Sequence, residues 1–157
     1  MKKDKIYQIC TVSLILDQFI KFLVTYNMKV GSIVTIIPSF FEIYYLQNRG
    51  AAFSSFQGMR YILILISLVI FFGLVTHIKK NNITKKVEII SLGLIMGGLV
   101  GNLIDRLLYG YVIDYLAFTF FGYSFAVFNL ADSFIVVGVI LLAIDIIRSD
   151  FLGKNKK

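Results

Sequence analysis

Residues 87–107 read VEIISLGLIMGGLVGNLIDRL, an apolar run that is long enough to cross a membrane as one helix. Gly93, Gly97 and Gly101 recur in it at a spacing of four. This spacing puts three positions without a side chain on one helix face and permits close approach of a neighbouring helix. The stretch therefore predicts a membrane-spanning helix that packs tightly inside a bundle and carries polar residues near one end.

The rest of the chain shares this apolar character. The 157 residues are 58% hydrophobic with a mean hydropathy of +0.82, which is too apolar for a soluble domain and too short for several domains. About 20 apolar residues span a bilayer core as a helix. Four stretches meet that length, separated by a short inner connection and two long outer ones. The helices are expected at about 6–25, 60–78, 87–107 and 128–147, and the outer connections at about 26–59 and 108–127. The expected fold is a single polytopic membrane domain, 1–157, with an all-α core of four transmembrane helices.

The sixteen Lys and Arg predict the orientation. Eleven flank one set of helix ends: Lys2, Lys3, Lys5, Lys79, Lys80, Lys85, Lys86, Arg148, Lys154, Lys156 and Lys157. Because basic residues are retained in the cytoplasm, both termini are expected there. The net charge of +7 is then a topology signal and attracts membrane lipids, so it does not argue for nucleic-acid binding. Asp17 and Lys21 interrupt the first apolar run and no small-x-small site follows, so we expect a retained helix and not a cleaved signal sequence.

The outer side is expected to contain a small sheet. Residues 33–37 and 40–46 are rich in β-branched and aromatic types, and Pro38 and Ser39 separate them, which predicts two strands resting on the bilayer surface. Four tyrosines mark the second outer connection: Tyr109, Tyr111, Tyr115 and Tyr123. Aromatic rings are enriched at the membrane–water interface, so we expect this loop there as well.

Five of the nine acidic residues lie in or beside apolar segments: Asp17, Asp105, Asp114, Asp132 and Asp145. A charge near the bilayer centre costs roughly 2.5–3.5 kcal/mol, so such residues usually face a protein interior or a wet cavity. Asp17 and Lys21 are one helical turn apart, and we expect an ion pair that braces a site. Asp105 follows Asn102 by three positions, and two readings are open: these residues form a polar cluster with Arg106, or Arg106 reaches the interface and Asp105 merely pairs with it.

Asn129 and Asp132 open the fourth helix at the same outer level, and Asp132 lies eighteen positions after Asp114. Two carboxylates in one site of low dielectric cannot both ionise easily, so the pair could act as acid and base around a water. A proton or cation pathway uses the same residue types, and a non-catalytic scaffold could use the acids for helix packing. The single Cys10 excludes an intrachain disulfide. The only histidine, His77, lies at a predicted cytoplasmic helix end beside Lys79, which excludes a His-rich zinc site and a Ser-His-Asp triad.

The motifs resemble those of bacterial lipoprotein signal peptidases, the signal peptidase II family, along the whole chain. The family's Asp-x-x-x-Lys occurs as Asp17 to Lys21, its Asn-x-Gly-Ala-Ala-aromatic segment as residues 48–53, and its Gly-Asn-x-Ile-Asp-Arg as residues 101–106. The two segments with the family's aspartates occur as residues 112–115 and 128–133. Ile113 and Tyr115 stand where valine and phenylalanine are more usual.

The resemblance implies an aspartic endopeptidase that removes the signal peptide from diacylglyceryl-modified prolipoproteins, just before the lipidated cysteine, at the outer face of the bacterial cytoplasmic membrane. It implies Asp114 and Asp132 as the catalytic pair. It also implies support or substrate binding by Asp17, Lys21, Asn48, Gly50, Ala51, Asn102, Asp105, Arg106, Asn129 and Ala131. An outer β-cradle and a short outer helix are expected, the latter as a lid just after Gly50. A monomer without metal or organic cofactor is expected.

Overall fold

The structure is a computed structural model that describes residues 2–50 and 58–154. Its elements are α1 (Lys2–Asn27), β1 (Ile33–Ile37), β2 (Phe41–Asn48), α2 (Arg60–Lys80), α3 (Lys86–Leu108), β3 (Val112–Phe120), β4 (Tyr123–Ser124) and α4 (Leu130–Lys154). All four helices are long and apolar enough to cross a membrane. Four spans and a small antiparallel sheet were predicted, and both are confirmed. Ala51 and the lid expected after Gly50 lie outside the described residues.

Helix α3 is the central helix, against which α1, α2 and α4 all pack. The glycine spacing explains how closely α1 approaches. A Cβ at Gly93 would lie 2.6 Å from the Ile9 Cβ, and one at Gly97 would lie 2.6 Å from the Ser13 Cβ. The predicted packing face is thus confirmed, with α1 as its partner.

The sheet has the strand order β1-β2-β3-β4, with antiparallel neighbours. In the β2–β3 register Leu46 faces Asp114 and Asn48 faces Val112. Residues two apart on a strand share a face, so Asn48 is the diagonal neighbour of Asp114. The two strands predicted at 33–37 and 40–46 are confirmed as β1 and β2, and β2 extends far enough to bring Asn48 to this position.

The second outer connection differs from its prediction as an aromatic surface loop. Most of it forms strand β3, and residues 112–115 of that strand are buried. Tyr115 was expected at the membrane–water interface, which is wrong: it is 3% exposed and packs with Val24, Tyr45 and Ile113. The reason is that β3 pairs with β2 on one edge and lies against α1 and α3, so the first half of the strand is buried within the protein.

Candidate active site

Helix α4 begins with Asn129 as its N-cap, and this cap positions Asp132. The Asn129 Oδ1 accepts a hydrogen bond from the Asp132 backbone N–H at 2.9 Å, and the Asp132 Oδ2 accepts one from the Asn129 N–H at 3.3 Å. This reciprocal pair is the geometry of a capping box, with aspartate at the third helical position. Asp132 is therefore held at the outer end of α4 by its own backbone.

The next free N–H groups of α4 bond to other elements. The Leu130 N–H donates to the Tyr115 hydroxyl oxygen at 3.2 Å, and the Ala131 N–H donates to the Asp17 Oδ1 at 3.0 Å. The first N–H groups of a helix have no partner within it, and a carboxylate there also meets the positive end of the helix dipole. Strand β3 and helix α1 thus both fix the helix end that carries Asp132.

Asp114 lies in β3 and is 1% exposed. Its Oδ2 accepts a hydrogen bond from the Asn48 Nδ2 at 2.8 Å, and its Oδ1 accepts one from the Asn129 Nδ2 at 2.7 Å. The diagonal position of Asn48 on β2 makes the first contact possible. The carboxyl is consequently buried with an amide donor on each oxygen.

Asn102 and Asn129 connect the two aspartates. The Asn102 Nδ2 donates to the Asp132 Oδ1 at 2.7 Å, and the Asn102 Oδ1 accepts from the Asn129 Nδ2 at 3.1 Å. Since Asn129 also donates to Asp114, the two amides form a continuous bridge between the carboxyl groups. The structure brings together the two carboxyls that the sequence placed on different elements.

Lys21 forms a buried ionic cluster next to this bridge. Its Nζ is 2.9 Å from the Asp17 Oδ2 and 2.8 Å from the Asp105 Oδ2. The predicted Asp17–Lys21 pair is therefore present. Of the two readings of Asp105, pairing with Arg106 is wrong: the helix turn directs Asp105 towards α1, where Lys21 lies, and its Oδ2 also accepts the Ile113 N–H at 3.1 Å.

Arg106 and Gly50 lie at the edge of the cluster. The Arg106 guanidinium donates to the backbone oxygens of Asn102 at 3.5 Å and of Gly50 at 3.4 Å. The Gly50 N–H in turn donates to the Asn48 Oδ1 at 2.9 Å. Arg106 thus lies beside the aspartates, and its hydrogen bonds connect the segment after β2 to α3.

Two residues of the site were missed by the sequence reading. The Gln18 Nε2 lies 3.1 Å from the Asp105 Oδ1, 3.2 Å from the Asp17 Oδ2 and 3.2 Å from the Gly101 backbone oxygen, so it joins α1 to α3. The sequence signal for Gln18 was its position, because it is a third polar side chain, next to Asp17, in an otherwise apolar helix. Tyr115 was assigned to the interface, and its contact with α4 had no sequence signal.

Burial and the neighbouring carboxylate change the acidity of the site. Burial, and then the charge of Asp132, raise the pKa of Asp114 to about 7, while the hydrogen bonds from Asn48 and Asn129 and the charge of Lys21 act in the opposite direction. The pKa of the Tyr115 hydroxyl is raised by burial, so this group stays neutral. A carboxyl that titrates near neutrality can both hold and release a proton at physiological pH.

A cavity of about 640 Å³ opens beside the aspartates. Its polar end consists of Asn48, Asn102, Arg106, Asp114 and Asp132. From there it continues between the helices along apolar side chains of α3 and α4 and the Ser67 position of α2. The apolar lining includes Leu99, Ile135, Val136 and Val137. The site can therefore take a ligand with a polar group at the aspartates and an apolar portion among the helices.

Comparison with known proteins gives a consistent result. The family model for signal peptidase (SPase) II matches residues 9–148. The chain belongs to the signal peptidase II family. The lipoprotein signal peptidase of Halothermothrix orenii is 41% identical, with the alignment covering 94% of this chain and 99% of that protein. That of Streptococcus pneumoniae is 37% identical over 98% of this chain and 99% of its own length.

A solved structure supports the same assignment. A bacterial membrane enzyme determined by the in meso method at 2.3 Å resolution matches with a TM-score of 0.87 and 33% identity, covering 96% of this chain and 90% of that one. The chain is therefore a multi-pass membrane signal peptidase of the lipoprotein-processing class, and its four helices and four-stranded sheet are the fold of that family.

Proposed function

We propose that this peptidase is an aspartic endopeptidase in which Asp114 and Asp132 are the catalytic pair. Its substrates are diacylglyceryl-modified prolipoproteins, which it cleaves just before the lipidated cysteine. The observation that supports this most directly is the amide bridge that holds the buried Asp114 carboxyl and the half-buried Asp132 carboxyl, from different elements, at the polar end of an apolar cavity.

The proposed chemistry is hydrolysis of one peptide bond. One ionised carboxylate takes a proton from a water, whose oxygen attacks the scissile carbonyl carbon. The protonated carboxyl gives its proton to the departing amine as the carbon–nitrogen bond breaks. The raised pKa of Asp114 supports a pair that retains one proton near neutral pH. Because coupled carboxyls titrate as a pair, the two roles are assigned to the pair.

The developing oxyanion needs hydrogen-bond donors that are already in place. Arg106 and Asn48 both line the polar end of the cavity and carry N–H groups there. Asn102 and Asn129 use their amide N–H groups on the carboxyls and so act on the pair itself. Asn48 likewise gives an amide N–H to the Asp114 Oδ2. We assign Arg106 to the substrate side of the site and all three asparagines to the catalytic pair.

The apolar part of the cavity supports a lipid-bearing substrate. It extends from the aspartates along α3 and α4, where acyl chains would replace bilayer lipid. Binding energy from a remote part of a substrate can position the reacting bond. A precursor with acyl chains beside its scissile bond would be held in this way, whereas a soluble peptide would not.

We place both termini in the cytoplasm and the active site at the outer face. The basis is the distribution of Lys and Arg, of which eleven flank the helix ends opposite the sheet. Membrane lipids are the other partners of this arrangement, and a monomer would contain every residue of the proposed site.

The rival reading is a small transporter or proton pathway. Transporters bind their cargo near the membrane midplane between helices. Here Asp132 is in the first turn of α4 and Asp114 is in the sheet beyond α3. The position of the carboxyls at one end of the helices favours a site for a membrane-anchored peptide over a pathway across the bilayer.

The decisive experiment uses the purified protein in lipid bilayers with one precursor peptide in two forms, with and without the diacylglyceryl group. We expect cleavage only of the modified form. Asp114→Asn and Asp132→Asn should each lower turnover by at least about 10³-fold while the thermal unfolding transition is retained. The matched control is Asp145→Asn, at the opposite end of α4, which should keep normal turnover. Near-normal turnover of either dyad variant would refute the catalytic pair, and equal cleavage of both peptides would refute lipid recognition.

A further inference from the structure

Lys21 is buried and all its hydrogen-bonding capacity is used. The residue is 1% exposed, and its Nζ lies 2.9 Å from the Asp17 Oδ2, 2.8 Å from the Asp105 Oδ2 and 3.0 Å from the Asn102 Oδ1. An ammonium group has three donors and no acceptor. Each donor therefore has one acceptor, and the atom of Asn102 that faces Lys21 must be its oxygen.

That constraint fixes the direction of the Asn102 amide, whereas the Asn129 amide is fixed separately because its Oδ1 accepts the Asp132 backbone N–H at 2.9 Å. With its oxygen towards Lys21, Asn102 turns its Nδ2 to the Asp132 Oδ1, 2.7 Å away. The same oxygen accepts from the Asn129 Nδ2 at 3.1 Å, and Asn129 then reaches the Asp114 Oδ1 at 2.7 Å. The two ends of an amide have nearly the same shape, so its direction follows from its partners. Lys21 is the donor-only partner of Asn102, as the Asp132 backbone N–H is of Asn129.

We propose that Lys21 is a positioning residue of the aspartate pair, which acts by orienting the Asn102 amide so that its N–H donates a hydrogen bond to the Asp132 carboxyl. This inference rests on the proposed function of Asp114 and Asp132. An amide N–H pointing at a carboxylate favours the ionised form that activates water. A reversed Asn102 would present its carbonyl oxygen to Asp132, which favours the protonated form instead.

Other charged and titratable groups surround the same cluster and set the background for its pH dependence. They come from α1, α3, β3 and α4, and are Asp17, Asp105, Arg106, Asp114, Tyr115 and Asp132. Removing Lys21 alone would change both the amide direction and the local charge balance. A useful test must therefore separate these two effects.

The test compares Lys21→Met with the double variant of Lys21→Met and Asp105→Asn. In the native cluster, Asp17 and Asp105 carry two negative charges against one positive charge. The double variant keeps this net charge of −1, because it removes one charge of each sign. Gln18 retains the Asp17 Oδ2 and the Gly101 oxygen as acceptors for its two amide hydrogens. The double variant leaves one buried carboxylate, Asp17, without a cation, where a lone Lys21→Met leaves two, and Asp17 keeps its hydrogen bonds from Gln18 and from the Ala131 N–H.

The measurement is kcat and KM against pH for the diacylglyceryl precursor peptide in bilayers. For the double variant we expect the acid limb of the kcat profile to move up by about one pH unit, with kcat at neutral pH about tenfold lower and KM within about twofold. The control is Lys85→Met, which removes a 2.8 Å ion pair with Asp145 at the other end of the bundle and should leave the profile unchanged.

A native pH profile in the double variant, or a change confined to KM, would overturn the positioning role of Lys21. Asp114→Asn and Asp132→Asn are measured in the same assay. Activity in either of them would refute the proposed function itself. If both are inactive while the double variant keeps the native profile, only the inference about Lys21 fails.

Discussion

At the residue scale, the site is a set of amides that donate hydrogen bonds to one buried and one half-buried carboxyl, Asp114 and Asp132. Burial raises the pKa of Asp114 to about 7, and the Asn48 and Asn129 hydrogen bonds limit that rise. The pair of carboxyls therefore retains one proton up to about neutral pH and loses that proton at higher pH. Peptidase activity should fall as the pH rises through about 7, since both carboxyls are then ionised and no proton remains for the leaving amine.

The Asn48→Ala variant tests this account of the alkaline limb. Asn48 donates to the Asp114 Oδ2 at 2.8 Å, which stabilises the ionised carboxyl. Removing that bond raises the pKa of Asp114 further, so the alkaline limb of the kcat profile should move to higher pH, by about 0.5–1 unit. The control is Asn81→Ala, whose amide bonds to His77 at the other end of α2. A limb that stays in place or moves to lower pH would contradict the role given to Asn48.

Asn129 has two functions that a single substitution can separate. Its Oδ1 caps α4 and its Nδ2 bonds to Asn102 and Asp114. Serine is as good an N-cap as asparagine but has no second amide arm. In Asn129→Ser we expect the free energy of unfolding to stay within about 1 kcal/mol while kcat falls about 10²-fold. Thermal unfolding in bilayers and peptide cleavage measure the two effects.

The comparison variant is Asn129→Leu, which should lose both the cap and the amide bridge. It should cost about 1 kcal/mol more than the serine variant, in addition to the loss of turnover. Equal stability of the two variants would show that the cap contributes nothing, and normal turnover in Asn129→Ser would exclude the bridge from the mechanism.

At the element scale, close contact between helices brings the site residues into one cluster. Helix α3 has glycines on two faces: Gly97 lies against Cys10 and Ser13 of α1, and Gly98 lies against the Ala131 backbone oxygen of α4. The same approach brings Lys21 and Asp132 within reach of Asn102. The short distance between the helix backbones is therefore a condition for the polar cluster at their outer ends.

The Gly97→Ala substitution measures the importance of this contact. The added Cβ would lie 2.6 Å from the Ser13 Cβ and 2.8 Å from the Cys10 backbone oxygen, so α1 must move away. Overpacking of this kind costs about 1–3 kcal/mol. We expect a lower unfolding temperature in bilayers and a lower kcat.

The matched control is Gly73→Ala in α2, where an added Cβ meets nothing within 4 Å. It should be neutral or stabilising, because alanine is the better helix former by about 0.5–1 kcal/mol. Equal effects of the two substitutions would mean that the helix contact at Gly97 is not what holds α1 against α3.

At the scale of the whole molecule, the polar cluster and the ion pair of Lys85 and Asp145 lie at opposite ends of the bundle. The proposed topology puts the sheet outside and the α2–α3 connection in the cytoplasm. In a variant without Cys10, a cysteine at the exposed Asn82 should be labelled by a membrane-impermeant reagent only from the cytoplasmic side. One at the exposed Ser124 should be labelled only from outside. The reverse pattern would put the aspartates on the side where secreted precursors are not found.

Much of this molecule could be predicted from the sequence, because a bilayer restricts the possible structures more than water does. Only helices and closed barrels satisfy the backbone in lipid, so apolar runs and basic flanks were sufficient for four spans. The cost of a buried charge likewise drew attention to Asp17, Asp114 and Asp132. Residue spacing alone left peptidase, transporter and scaffold open, and the family motifs were needed to choose among them.

Other features were decided only by the tertiary structure. Tyr115 is buried because β3 runs beside β2 and lies against the helices, and Asp105 pairs with Lys21 because α1 packs closely on the glycines of α3. The direction of the Asn102 amide depends on Lys21 of α1 and Asn129 of α4 reaching the same oxygen. Spacing along a chain fixes which residues share a face of one element. The partner that each face meets depends on packing between elements, and the chemistry of this site arises from that packing.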